Sequence, residues 1–79
     1  VSKDATAARL VAALNEAALR EAPGADLVSV ELNFISAEAI ARVEARTERR
    51  TRTLAFLVAD AFDQAGARVA SGSSVHKIA

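Results

Sequence analysis

An α+β domain, with one N-terminal helix packed on a four-stranded antiparallel meander, is predicted by three observations. A single Ala-rich helical stretch opens the 79-residue chain. Polar/apolar alternations follow it, running from Val28 almost to the C-terminus. The links between them are short, which makes consecutive strands neighbours. A βαβ arrangement is disfavoured, because only one helix is visible and it comes first.

The helix is expected over about Asp4 to Ala22, where Ala, Leu, Glu and Arg dominate. Asp4 or Ser2 is placed to cap its start, and Pro23-Gly24 stops it. At 100° per residue, Ala7, Leu10, Val11, Leu14, Ala17 and Ala18 share one face. These are mostly small side chains, which permit close approach to a sheet. Asn15 sits at the edge of that stripe and Leu19 lies away from it. Leu19 is either a singly exposed apolar residue or a contact to a second subunit.

Strands are expected at about 27–35, 38–48, 52–62 and 67–78. In the first, Val28, Val30, Leu32 and Phe34 face one way and Ser29, Glu31 and Asn33 the other. In the second, Ala39, Ala41, Val43, Ala45 and Thr47 oppose Arg42, Glu44, Arg46 and Glu48. That is the one-side-wet pattern of an antiparallel sheet. The third is apolar on both faces, Leu54, Phe56 and Val58 against Ala55, Leu57 and Ala59. It reads as a central strand with the helix on one side and a partner subunit on the other. The fourth is weaker, with Gly72 among three serines, and reads as a polar edge strand with a bulge or close backbone approach at the glycine. Arg49-Arg50 marks one turn and Asp63-Gln64-Ala65-Gly66 the next, with Gly66 suited to positive φ.

Residues 1–79 make a single domain. A chain of this size buries only about 60% of the surface its unfolded form exposes. It has no Cys, Trp, Tyr or Met and only three Phe, so a lone monomer would be marginal, and a homodimer or higher oligomer is expected. Net charge is zero, from ten basic and ten acidic residues. This gives no global attraction to nucleic acid or to an anionic membrane. No apolar run approaches the roughly 20 residues of a membrane-spanning helix. The expectation is a cytoplasmic protein that needs no cofactor and no metal.

The stretch Val28-Ser-Val-Glu-Leu-Asn-Phe34 resembles the strand after the central helix in the hotdog-fold acyl-CoA thioesterases of the phenylacetate type. Glu44-Ala-Arg-Thr-Glu-Arg-Arg-Thr-Arg-Thr-Leu-Ala-Phe56 is similar to the family's two long central strands. Asp63-Gln-Ala-Gly-Ala-Arg-Val-Ala-Ser-Gly72 is similar to its last hairpin. The resemblance covers nearly the whole chain and implies a hotdog-like fold that hydrolyses a small or medium acyl thioester at a subunit interface. The family has a strand or hairpin ahead of the helix, so the chain reads as a minimal or N-terminally truncated form.

The same resemblance carries the candidate residues. The family's acidic or amide position on the helix falls on Asn15, as a water-positioning group, or on Glu16 as a less favoured base. Its His-Gly-Gly stretch falls near Thr6, Ala7 and Ala8, where this sequence has neither the histidine nor the glycines. Leu54, Phe56 and Val58 are candidates for acyl contact, and Arg49 and Arg50 for the phosphates of CoA. Interleaved Glu44 and Glu48 also fit ion pairing on that face. His76 is the sole histidine and makes no triad or metal site by sequence alone, so an exposed or packing role is expected. The alternative function is a non-catalytic acyl-binding or homo-oligomeric interaction module.

Overall fold

A regular helix and four regular strands form where the two periodicities predicted them. The computed structural model describes residues 3–78. Helix α1 spans Lys3–Glu21, β1 Asp26–Phe34, β2 Arg42–Arg50, β3 Leu54–Phe62 and β4 Arg68–Lys77. Asp4 lies in the first turn of α1, where a carboxylate complements the positive end of the helix dipole. Ser2, the other capping candidate, lies outside the described residues. Beyond the helix, Gly24 takes φ of +84°, the left-handed conformation that ends helices.

The helix lies across one face of the sheet. Thr6, Leu10, Leu14, Ala17 and Ala18 are buried there. They pack on Ala55, Leu57, Ala59 and Ala61 of β3 and on Val69 and Ala70 near the start of β4. Alanines on both sides let the layers approach, and the large side chains Leu10, Leu14 and Leu57 fill the space between. Each of these leucines contributes roughly 1.5–3 kcal/mol on burial. Ala7 and Val11 are half-buried at the margin of the stripe.

All strand pairings are antiparallel, but the order is β1-β4-β3-β2. The predicted meander therefore holds for β2, β3 and β4 only, and β1 pairs with β4 on the far side. Residues 35–41 carry the chain from one sheet edge to the other. Three strand spacings are roughly 14 Å, and seven extended residues reach roughly 23 Å, so the short link suffices. Its backbone is held on the way. Ile35 and Ser36 N–H both donate to the Val69 carbonyl (2.8 and 3.1 Å), and Ala41 N–H donates to that of Phe62 (2.7 Å). That crossover occupies the first residues assigned by sequence to the second strand, including Ala39 and Ala41.

Two further expectations shift. Arg49 and Arg50 are the last residues of β2, paired with Phe56 and Ala55, rather than the turn. The turn belongs to Thr51, whose Oγ1 accepts the Leu54 N–H (3.0 Å) while its backbone N–H donates to the Leu54 carbonyl (2.8 Å). Strand β4 is central, between β1 and β3, and not an edge. Its Gly72 marks a close approach. A Cβ there would stand 2.8 Å from Leu32 Cδ2 and 3.5 Å from Leu14 Cδ1. The last turn forms as its residues require. Asp63 Oδ1 accepts the N–H of both Ala65 and Ala67 (2.9 Å each), and Gly66 takes φ of +84°.

Candidate functional site

Strand parity decides which side chains meet α1. Along β4, Ala70, Gly72, Ser74 and His76 alternate onto the buried, helix-facing side. Ser74 is 3% exposed and His76 1% exposed. Across from them in β1 stand Val30, opposite Ser74, and Leu27, opposite His76. Paired residues share a face, so these two apolar side chains flank the polar pair on the helix side. The helix covers β1 incompletely, and both remain exposed.

Asn15 reaches this place from above. Its Oδ1 lies 3.0 Å from His76 Nε2, and His76 Nδ1 lies 3.3 Å from Ser74 Oγ. A polar chain thus runs from the half-buried amide of Asn15 into the sheet and ends on a buried hydroxyl. One helical turn to either side of Asn15 stand Val11 and Leu19. The margin between α1 and β1, here the seam, has Leu27 and Val30 on its sheet side and Asn15 on its helix side. Burial pushes the His76 imidazole below its ordinary pKa, since charging it would strip water from a cation.

The other candidates fall elsewhere. Glu16 is exposed and borders a groove with Arg9, Ala12, Ala13 and Val43, on the β2 side of the helix and not with Asn15. Thr6 is buried against the sheet, Ala7 half-buried and Ala8 exposed. All three lie within α1, where a regular helix directs the amides of Ala7 and Ala8 to carbonyls four residues earlier.

Leu54, Phe56 and Val58 occupy the opposite face of the sheet from the helix, half-buried. The structure does not bring them to Asn15. On that far face Phe56 and Val75 join Ser29, Glu31, Glu48 and Ser73 around a shallow groove of about 370 Å³. The two arginines point to opposite sides of the sheet. Arg50 Nη1 donates to the Glu21 carbonyl at the end of α1 (2.9 Å), and Arg49 lies over the Phe56 ring (5.7 Å). Ion pairs do run along this region, Arg42 with Glu44 (2.8 Å) and both Arg46 and Arg68 with Asp60 (3.5 and 3.3 Å). Being well exposed on at least one side, such pairs contribute about 0–1 kcal/mol each.

His76 is the residue that sequence reasoning undervalued. An exposed or packing role was expected; the ring is buried, and it bridges Asn15 and Ser74. The parity that places Gly72, Ser74 and His76 on one face was available. The missing piece was that this face is the one under the helix.

No protein-family model matches the sequence, and no curated protein matches it. Among solved structures, the BH2602 protein from Bacillus halodurans, crystallised with CoA, superposes with a TM-score of 0.87 at 17% sequence identity. The fold is hotdog-like. The match covers 98% of this chain but 58% of that one, so this chain spans little more than half of its neighbour's length. Among the described residues, no helix is long and apolar enough to cross a membrane.

Proposed function

We propose that this hotdog-like domain binds an acyl-CoA thioester and hydrolyses it, with the acyl chain along the α1–β1 seam and the thioester carbonyl at Asn15. The observation that carries the reading is the Asn15–His76–Ser74 chain beneath an apolar seam. A core needs no such group, because buried polar atoms cost free energy unless fully partnered. Val11, Leu19, Leu27 and Val30 supply the apolar flanks that an acyl chain requires. A neighbour of the same fold holds CoA, which supports the choice of thioester.

The chemistry asks little of the chain's own basicity. Water adds to the carbonyl carbon and the C–S bond breaks. One water proton passes to the departing thiolate and the other remains with the carboxylic acid. Asn15 is a poor proton acceptor, so it contributes hydrogen bonds that orient and polarise. The subunit interface expected for this fold closes the seam from the side of β1, where Val28 is 61% exposed.

The test is thiol release from a series of straight-chain acyl-CoAs, with wild type and Asn15→Ala side by side. Saturable turnover that falls roughly 100-fold or more in the variant is expected, the scale of losing one transition-state hydrogen bond. Turnover unaffected by the substitution would remove Asn15 from the site. Absence of turnover at every chain length would leave a non-catalytic module, the second reading. Its support is the helix start, where Ala7 and Ala8 sit inside α1 and present no glycine-rich loop of free amides.

A further inference from the structure

The buried histidine has a geometry that determines which atom of Asn15 is offered to a ligand. An amide oxygen only accepts hydrogen bonds, so the imidazole nitrogen facing Asn15 Oδ1 at 3.0 Å carries the hydrogen. In that orientation of the amide the proton sits on Nε2 and Nδ1 is bare. The Ser74 hydroxyl, 3.3 Å away, then donates to Nδ1. Both ring nitrogens are satisfied in this arrangement, and no buried side-chain nitrogen or oxygen among the described residues lacks a partner.

Asn15 Nδ2 is the exception that is not buried. It has no hydrogen-bond partner among the described residues, yet it is not counted among sealed, unpartnered atoms. It therefore retains contact with solvent. Because the amide is planar, with its oxygen on His76 the N–H anti to that oxygen points back from the ring.

We propose that His76 is a positioning residue. As the Nε2–H tautomer, with the Ser74 hydroxyl donating to Nδ1, it holds Asn15 so that the Nδ2 donor, and not the amide oxygen, meets the thioester carbonyl. This rests on the acyl-thioester reading above and refines it. Asn15 becomes the donor that stabilises charge developing on the carbonyl oxygen, and the attacking water is oriented by other means. Ser74 has no role as a nucleophile here, being sealed beneath the helix at 3% exposure.

Two measurements test the assignment. Long-range proton–nitrogen correlation spectra of the wild-type protein at pH 7.5 report the His76 tautomer directly. Nε2–H is expected; Nδ1–H would overturn the proposal, since Asn15 would then donate to the ring and present its oxygen. The second is steady-state kinetics on the acyl-CoA that wild type turns over best. His76→Phe removes the donor at similar volume and is expected to lower kcat roughly 10-fold or more, with KM nearly unchanged. His76→Gln, whose amide N–H can replace Nε2–H, is expected to recover most of that loss. Equal kcat for wild type and His76→Phe would overturn the proposal, as would a loss confined to KM. Should either variant fail to fold, the tautomer spectrum of the wild-type protein decides the proposal by itself. Turnover with the Nδ1–H tautomer sinks only the positioning role. The Nε2–H tautomer without any turnover sinks the hydrolytic reading, and the donor role with it.

Discussion

His76 ties stability to pH as well as the site to its orientation. Its pKa in the folded chain lies below the ordinary value because the ring is buried. An unfolded histidine titrates near 6.5. Between the two values the unfolded chain binds more protons, so stability rises with pH across that window. The contribution is complete above about pH 6.5 and is lost as pH falls toward the depressed folded value. Urea midpoints measured at pH 7.5 and pH 5 are expected to drop on acidification in wild type. The part of the drop due to this ring is expected to vanish in His76→Phe. A wild-type midpoint that does not move would contradict the burial of a neutral imidazole.

A second residue-scale expectation concerns Gly72. Strand position favours a β-branched residue, but the space does not, because Leu32 and Leu14 already fill it. Gly72→Val is expected to destabilise by about 1–3 kcal/mol through overpacking. Chemical denaturation measures this, and a variant as stable as wild type would mean that Leu32 moves aside freely.

At the scale of elements, α1 contributes through one narrow face. Leu14 is buried against β3 and β4, while Leu19 is 51% exposed. Leu14→Ala is expected to cost about 2–5 kcal/mol, and Leu19→Ala no more than about 0.5 kcal/mol. Against a total stability of about 4–12 kcal/mol for a chain of this size, the first substitution removes a large share. Equal losses from the two would mean that Leu19 is buried in solution, which would place it in a subunit contact.

The elements also show what could be read beforehand. Helix limits, strand identity and the positive φ of Gly66 follow from local chemistry, and so they were legible in order. The partner of β1 was not. Short links imply sequential neighbours, but residues 35–41 cross the sheet end and leave β1 beside β4. That pairing depends on contacts distant in sequence, and it converts a presumed polar edge strand into a central one. The same lack of long-range information hid the site. Asn15 was singled out from the helix, but its partner stands 61 positions away on β4. The two faces of β3 were equally apolar in sequence. Only the tertiary fold shows that Leu57 lies under the helix while Leu54, Phe56 and Val58 lie on the opposite face.

On the scale of the whole molecule, one helix covers one face of the sheet and leaves two apolar surfaces. One is the edge strand β1, where Leu27, Val28, Val30 and Phe34 are exposed. The other is the far face around Phe56. The opposite edge, β2, is protected by arginines and glutamates, so β1 is the edge open to pairing. A homodimer is expected at micromolar concentration, measured by light scattering, with Val28→Lys shifting it toward monomer. A stable wild-type monomer would contradict the self-association expected of so small a core.

We propose above that an acyl thioester lies in the α1–β1 seam with its carbonyl at Asn15. The direct measurement is amide and side-chain shift mapping by NMR as a slowly hydrolysed acyl-CoA is added, with CoA alone as the control. Changes specific to the thioester are expected at Asn15, Leu19, Leu27 and Val30, including the Asn15 Nδ2 protons. Changes confined to Leu54, Phe56 and Val58 would place the ligand on the far face of the sheet and contradict binding in the seam.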